Sequence, residues 1–357
     1  MKPSSAFILA LWLVSTAAGV SQSIPAKGIF LDSITWLQAA KQLTPQTVVV
    51  IPLGAQAKEH GPHLPLGTDY IQAQFFARQI ATTEPVVIAP QLNYGFYFPF
   101  ITFPGSTSLR HSVAKLMVVD ICRGLAAFGP KRFYVINEGI ATNAVLKPAA
   151  DLLAREGILL SFTDLRGEEV EALVKRVQQQ KEGSHADEIE TSKILYMQPK
   201  QVNMKLAKQE YGIRKGRGFP TYDSTQNGHY IPSGIYGDAT LASYAKGKTI
   251  TEGMLHIIKA DLDRLRQTSL PAVKMPDVKL YTGQYETADK TMATISDDQG
   301  LVCQFSSFPA EKLHADGDNY FAGFYYEIWF QTNDAGDVIS LRLVDVGGRI
   351  SLAKKVK

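Results

Sequence analysis

The residue types best suited to catalysis lie in one short segment, GAQAKEHGPHLPLGTD, at positions 54–69. Glu59, His60 and Asp69 supply the imidazole nitrogen and the carboxylate oxygens that Zn²⁺, Mn²⁺ or Fe²⁺ take as ligands. Two prolines and three glycines keep the segment out of regular helix. These residues alone allow two interpretations: a metal-binding loop, or a polar turn in which Asp69 caps the next helix and His60 and His63 are satisfied polar side chains.

A second cluster of ionisable residues, GSHADEIETS, lies at 183–192, where His185, Asp187, Glu188 and Glu190 crowd the start of a predicted helix. Acidic residues in a first turn favour the helix dipole, which accounts for Asp187 and Glu188 without any function. Glu190 precedes an apolar run and is expected to face the packed side of the helix. A carboxylate buried there needs a partner, and a metal ion is one candidate.

Both clusters depend on a series of alternating strands and helices between about residue 30 and about residue 265. Buried strands are predicted at 47–54, 86–90, 132–137 and 158–165. Helices are predicted at 69–82, 112–128 with Ser112 as N-cap, 145–156, 167–181 and 188–197. This alternation implies βαβ units, and therefore a mainly parallel sheet with helices on both faces.

Ligands bind at the carboxyl ends of the strands in such sheets. The segment 54–69 follows the first predicted strand, and the polar loop NEGIATN, at 137–143, follows the third. We therefore expect the two loops to converge on one crevice. His229 lies in a later Gly- and Tyr-rich loop, 221–243, expected to close over that crevice, and it is either a ligand or substrate contact or a plain loop histidine.

The pattern changes after residue 268. A linker with two prolines is predicted at 269–276, followed at 277–357 by short alternating strands with DDQG and NDAG turn signals. This segment is predicted to be a small all-β, barrel-like domain. It resembles the lipocalin-like domains appended to some exported hydrolases, which implies an accessory role in contact or in substrate shielding.

The N-terminal residues 1–23 have one lysine, a short apolar run and then small residues, the layout of a secretory signal peptide. An uncleaved anchor is the alternative. We expect export to the periplasm or the extracellular space, with no membrane span after signal cleavage. The net charge of +3 gives no basis for nucleic-acid binding. Cys122 and Cys303 lie far apart in the chain and are expected to be buried free thiols.

Four motifs in order, GPHLPLGTD, FPGSTSL, the asparagine-containing loop after the third strand and HADEIETS, resemble the creatininase (creatinine amidohydrolase) family over about residues 30–265. This resemblance implies a three-layer α/β catalytic domain, at 24–268. It also implies a binuclear metal hydrolase that cleaves carbon–nitrogen bonds other than peptide bonds, and a homo-oligomer, often a hexamer.

The same comparison exposes departures from the family pattern, which is Glu-x-His followed by Asp nine residues after the His. His60 and Asp69 keep that spacing, but Lys58 stands at the Glu position and the carboxylate has moved to Glu59. Gly139 stands where a metal-binding His is expected, and Glu138 is the only replacement donor in that loop.

The resemblance therefore implies a reduced site with His60, Asp69 and Glu190 as metal ligands. Zn is expected first, with Mn or Fe as alternatives, at one or two ions per chain. Glu59 is an additional ligand or a general base, and His185 matches the family's proton-transfer histidine. The Lys58 ammonium would replace the charge of the second metal.

The predicted function is hydrolysis of a small linear or cyclic amide or short peptide through metal-activated water. The alternative is a catalytically inactive small-molecule binding protein that keeps the fold. The substitutions at Lys58 and Gly139 favour this alternative, whereas the retention of the two histidines and two carboxylates favours the enzyme.

Overall fold

A computed structural model describes residues 27–273 and 277–356. The predicted signal peptide at 1–23 lies outside these residues, and so do positions 274–276 of the predicted linker. None of the helices in the described ranges is both long and apolar enough to span a bilayer. Export therefore stays a prediction.

Five parallel strands form the central sheet of the first part of the chain. They are β1 (Ile29–Phe30), β2 (Val48–Leu53), β3 (Val87–Ile88), β4 (Arg132–Asn137) and β5 (Leu159–Phe162), in the order β1-β3-β2-β4-β5. All six residues of the central strand β2 are buried, because helices cover both faces of the sheet. The predicted parallel sheet is confirmed.

Seven α-helices lie in the described residues. They are α1 (Trp36–Gln42), α2 (Thr68–Thr83), α3 (His111–Ala126), α4 (Asn143–Arg155), α5 (Glu168–Lys175), α6 (Glu188–Met197) and α7 (Tyr244–Gln267). Alternate residues of β4 reach two separate cores, because side chains alternate across a strand. Phe133 and Val135 pack with residues of α3 and α4, whereas Tyr134 and Ile136 pack with residues of α2, α5 and α7. This is the predicted three-layer α/β architecture.

Two helices differ from their sequence predictions. α3 begins one residue before Ser112, so the prediction of Ser112 as its N-cap is wrong. α5 ends at Lys175 instead of continuing to residue 181. The chain beyond α5 is held by α6, because the backbone amides of Gln179 and Gln180 donate to Glu188 Oε2 over 2.8 and 2.7 Å.

Short strands connect α6 to α7. β6 (Gln209–Glu210) pairs with β10 (Gly237–Asp238), and β7 (Ile213–Lys215), β9 (Gly228–Tyr230) and β8 (Pro220–Thr221) form a second small sheet. Pro220 of β8 and His229 of β9 lie at the crevice beside the central sheet.

The C-terminal part is one antiparallel sheet of nine strands. They are β11 (Gly283–Thr287), β12 (Met292–Asp297), β13 (Leu301–Phe305), β14 (Glu311–Lys312), β15 (His314–Gly317), β16 (Tyr320–Ala322), β17 (Tyr326–Thr332), β18 (Val338–Asp345) and β19 (Ile350–Lys355). The two edge strands, β14 and β15, follow each other in the chain, so the sheet curls into a nearly closed barrel, as predicted. Large side chains such as Tyr285, Tyr326 and Phe330 fill its interior.

An ion-pair cluster joins the barrel to α3. Arg123 lies 2.6 Å from Glu156 and 2.7 Å from Asp316 of the barrel. His314 lies in β15 with its Nδ1 3.0 Å from Glu156 Oε2. Both expected free thiols, Cys122 and Cys303, are buried and unpaired.

Gly54, directly after β2, allows the loop to pass against the start of α2. A Cβ at this position would overlap the backbone carbonyl of Asp69. In contrast, a Cβ at Gly124, on the exposed side of α3, would meet nothing within 4 Å. A glycine-to-alanine substitution therefore tests the close approach of the loop to α2 at Gly54, and the helix propensity of α3 at Gly124.

We expect Gly54→Ala to destabilise the protein by about 1–3 kcal/mol, because the loop and helix must move apart. Gly124→Ala should stabilise it by about 0.5–1 kcal/mol, because alanine favours helix. Urea unfolding followed by circular dichroism measures both. Equal effects of the two substitutions would contradict the tight approach at Gly54.

Candidate active site

The two predicted loops converge at the carboxyl edge of the sheet. Leu53 of β2 pairs with Asn137 of β4, and the amide of Glu138 donates to the carbonyl of Leu53 over 3.1 Å. A cavity of about 680 Å³ opens beside this edge. Ionisable residues from both loops, from α6 and from the turn before it line this cavity, among them Lys58, Glu138, His185, Glu190 and Lys193.

His60 is completely buried behind this lining. Its Nδ1 lies 2.9 Å from the carbonyl of Lys58, and its Nε2 lies 2.8 Å from Asp69 Oδ1 and 3.9 Å from Glu190 Oε1. A carbonyl only accepts hydrogen bonds, so Nδ1 must carry a proton. The remaining nitrogen then faces two carboxylates, an arrangement that requires either a second proton or a cation.

Asp69 is shared between two partners. One oxygen faces His60, and the other lies 2.7 Å from Lys58 Nζ, so the carboxylate does not cap α2. Burial alone would raise the pKa of Asp69, but Lys58 and His60 outweigh it and hold that pKa well below the usual range. Burial would likewise lower the pKa of Lys58, and Asp69 reverses the effect, so its pKa is raised. Both groups therefore stay charged.

Glu59, predicted as an additional ligand or a general base, is buried and contacts His185. Its carboxylate lies 2.9 Å from His185 Nε2 and accepts the amide of Gly61. Gly234, at φ +82°, passes so close that a Cβ there would overlap Glu59 Oε1. Burial would lower the pKa of His185, but the Glu59 carboxylate outweighs it and raises the pKa. The ring of Phe100 lies 4.0 Å from that of His185, centroid to centroid, and shields the pair on one side.

Glu190 lies in the first turn of α6, between the two histidines. Its Oε2 accepts the amide of Ala186 over 2.6 Å and lies 3.6 Å from His185 Nδ1. Burial would raise the pKa of Glu190, and His60 with His185 outweighs it, so the pKa is lowered. Asp187 is the N-cap of α6, the structural role that the sequence allowed, and burial raises its pKa to about 6.

Lys193 is a site residue that the sequence reasoning missed. Its Nζ lies 3.1 Å from Glu138 Oε2, and both side chains are buried. Burial would lower the pKa of Lys193, but Glu138 outweighs it and the pKa is raised. Burial raises the pKa of Glu138 in spite of this lysine. One signal was present, because Lys193 follows Glu190 by three residues and therefore shares its helix face.

The charges of this cluster do not balance. Four carboxylates and only two ammonium groups lie together at the edge of the sheet: Glu59, Asp69, Glu138 and Glu190 against Lys58 and Lys193. Buried charges are normally compensated. Among these six groups the excess of two negative charges is matched either by protons on both histidines or by one divalent cation. Asp187, buried at the N-cap of α6, adds a fifth carboxylate to the cavity wall, and a proton on His185 would balance it.

The described residues contain one group of nitrogen and carboxylate donors with metal-like spacing. Ligand atoms of His60, His185 and Glu190 all lie within 4.8 Å of one another, so this group could bind a metal. It shares His60 and Glu190 with the predicted ligand set, while Asp69 lies against His60 on the side of Lys58.

The other predicted positions have defined partners. His63 Nε2 lies 2.7 Å from Thr191 Oγ1, which agrees with a structural role. His229 lines the cavity, and its Nε2 lies 2.7 Å from the carbonyl of Tyr211. Gly139 also lines the cavity and brings no donor side chain to it.

Loss of Lys193 is expected to leave Glu138 as an uncompensated buried charge. Lys193→Met should cost about 3–5 kcal/mol near neutral pH, and adding Glu138→Leu should recover most of it. Because burial raises the pKa of Glu138, the penalty of Lys193→Met should grow as the pH rises above the range in which an ordinary glutamate titrates. Urea unfolding of both variants measures this.

The exposed Lys175→Met provides the matched control and should change stability by less than about 0.5 kcal/mol. A pH-independent loss in Lys193→Met would contradict the role assigned to Glu138.

Glu59→Gln should lower the pKa of His185, because it removes the carboxylate that raises it. NMR titration of the His185 ring signals in chelator-treated protein measures the shift. Glu182→Gln, at the exposed rim of the cavity, is the control and should leave the titration unchanged. An unchanged His185 pKa in Glu59→Gln would show that the pair does not exist in solution.

Comparison with known proteins shows which family the first part of the chain is similar to. A family model described as creatinine amidohydrolase matches residues 32–261. Creatinine amidohydrolase of Pseudomonas putida is 27% identical over 137 residues, which are 37% of this chain and about half, 52%, of that relative. 3-Dehydro-scyllo-inosose hydrolase of Thermotoga maritima is 24% identical over 284 residues, 71% of this chain and 89% of that protein. The mycofactocin precursor peptide peptidase of Mycolicibacterium smegmatis is 26% identical over 215 residues, 58% of this chain and 81% of the relative.

Solved structures show the same fold. A crystal structure of creatinine amidohydrolase (creatininase) superposes with a TM-score of 0.54 at 24% identity, covering 70% of this chain and 100% of that one. A structure named creatininase Mn superposes with a TM-score of 0.54 at 22% identity, covering 67% and 99%. The predictions of a creatininase-type fold and of a hydrolase are confirmed at the level of the family. The family model matches residues 32–261, more than half of the chain, and this range contains both loops of the candidate site. The chain therefore belongs to the creatininase family.

Proposed function

We propose that this protein is a metal-dependent amidohydrolase that cleaves a carbon–nitrogen bond of a small linear or cyclic amide or a short peptide. The observation that carries the proposal is the environment of His60. Its Nε2 faces Asp69 and Glu190 inside a buried cluster with two uncompensated negative charges. One divalent cation would satisfy both the nitrogen and the charge.

His60, Asp69 and Glu190 are the proposed ligands, since Asp69 Oδ1 lies 2.8 Å from His60 Nε2. His185 belongs with His60 and Glu190 to the group whose ligand atoms lie within 4.8 Å of one another, so it is within reach of the same ion. Nitrogen and carboxylate donors fit Zn²⁺ first, and Mn²⁺ or Fe²⁺ as alternatives. The neighbours named creatininase Mn and creatininase Zn-Zn type support this choice. When bound, such an ion lowers the pKa of water and polarises a carbonyl group.

Lys58 limits the number of ions in this proposal to one. Its ammonium engages the Asp69 oxygen that points away from His60, so that oxygen would not be free to hold a second ion. A fixed positive charge then stands at that position. The raised pKa of Lys58 keeps the charge in place across the physiological pH range.

Glu59 and His185 are the proposed proton carriers. Hydrolysis adds the hydroxyl of water to the carbonyl carbon and a proton to the leaving nitrogen, so one group must accept a proton and another must supply one. Glu59 accepts the proton of the attacking water, and His185 gives its own to the nitrogen. Their 2.9 Å contact allows the proton to return to His185 for the next turnover.

One observation favours a second candidate, an inactive small-molecule binding protein. Lys58 pairs with Asp69 and Lys193 with Glu138, so half of the buried carboxylates are compensated by the chain itself. Protonation of both histidines would compensate the rest without any metal. Under either candidate function, we propose that the protein is exported and forms a homo-oligomer. Both are predictions, from the N-terminal sequence and from the family resemblance.

Elemental analysis of protein purified without chelators separates the two candidates. We expect about one Zn, Mn or Fe per chain, and none in the His60→Ala, Asp69→Ala double variant, because a mononuclear site needs about three protein ligands. His256→Ala, on the exposed side of α7, is the control and should keep the metal.

Failure of the wild-type protein to hold metal after supplementation with each ion would favour the binding protein. Two ions per chain would refute the limiting role of Lys58.

A further inference from the structure

The cavity at the candidate active site has two chemically different ends. The ionisable residues described above line one end. The other is lined by uncharged side chains, here called the apolar arm: Leu165, Val170, Val174, Ile250 and Met254.

The apolar arm follows from the sequence of α5 and its contact with α7. In EEVEALVK the apolar residues Val170, Leu173 and Val174 have helical spacing and share one face. Leu173 is fixed against α7, where a Cβ at Gly253 would lie 2.6 Å from its side chain. Val170 and Val174, one turn apart, line the cavity beside it.

The early end of α5 adds to this opening. The backbone amides of Gln179 and Gln180 donate to Glu188 of α6, and the helix does not continue to these residues. Gln178, in the segment between α5 and these amides, lines the cavity. The rim carries two basic and two acidic residues, Arg166, Lys175, Glu171 and Glu182. These charges cancel, so the rim does not select a charged group.

The size of the cavity distinguishes between substrates. About 680 Å³ lies within the range of pockets that hold drug-sized ligands, roughly 300–1,000 Å³. A small cyclic amide placed against His185 and Glu190 would occupy only the ionisable end. The apolar arm would then stay unused.

We propose that the apolar arm is a substrate subsite, and that the substrate is an amide with a hydrocarbon chain of several carbons that extends from the scissile group into the arm. The inference rests on the proposed function for the reacting end of the substrate. Its subsite is built from helices α5 and α7 with Leu165, none of which belongs to the metal or proton machinery.

Two series of simple amides test the proposal by ligand-observed NMR titration. Primary amides from acetamide to octanamide carry the chain on the carbonyl carbon, and N-alkylformamides carry it on the nitrogen. In one series the affinity should rise about threefold per added methylene until the arm is filled. The responding series tells which side of the scissile bond faces the arm. Affinities independent of chain length in both series would overturn the proposal.

Val174→Trp should fill the arm and abolish the gain with chain length, while the affinity for acetamide stays unchanged. Ala172→Trp, the same substitution on the exposed side of α5, is the control and should keep the gain. Val174→Thr keeps the shape but adds a hydroxyl, and should weaken octanamide binding about threefold or more. An equal effect of Val174→Trp on acetamide and octanamide would overturn the subsite.

Metal content, measured on the same samples, separates this inference from the proposed function. A chain-length gain in protein that binds no metal would support the arm and refute the hydrolase mechanism. Metal binding without any rise of affinity with chain length would refute the apolar arm as a subsite and leave the proposed hydrolase function standing.

Discussion

The site depends on one buried carboxylate, that of Asp69, which shares its two oxygens between Lys58 and His60. Transfer of a carboxylate from water into a protein interior costs several kcal/mol unless partners replace its hydration. Here both partners come from a single loop, and the close approach at Gly54 holds that loop against α2, which carries Asp69. The loop, the helix and the charge therefore stabilise one another.

The remaining ionisable groups extend this arrangement across the crevice. Lys193 of α6 compensates Glu138 after β4, and His185 before α6 contacts Glu59 in the loop after β2. Each contact joins elements that are distant in the chain, so the electrostatics of the site also hold α6 over the edge of the sheet. Phe100 covers Lys58 and His185 from one side and strengthens these interactions by excluding water.

This architecture explains how a member of the creatininase family can tolerate the departures from the family pattern. A lysine in place of a ligand carboxylate brings a positive charge to a position where the family pattern implies a metal ligand. Lys193 compensates the glutamate of the loop that carries Gly139. The substitutions thus form a consistent electrostatic set, in which two ammonium groups compensate two of the four carboxylates.

The sequence by itself indicated most of the elements and one loop of the candidate site. Strand and helix periods are local, so β2, β4 and α6 could be predicted from short windows, and the ionisable residues crowded at 54–69 marked that loop as a candidate site. Only the tertiary structure decided which groups meet. Glu59 contacts His185, which lies 126 positions further along the chain, and Lys193 contacts Glu138, which lies 55 positions before it. The end of α5 depended on contacts made by α6, which no local pattern records. Such pairings depend on the rotation of each helix against the sheet, which the packing of both cores sets and no short stretch of sequence encodes.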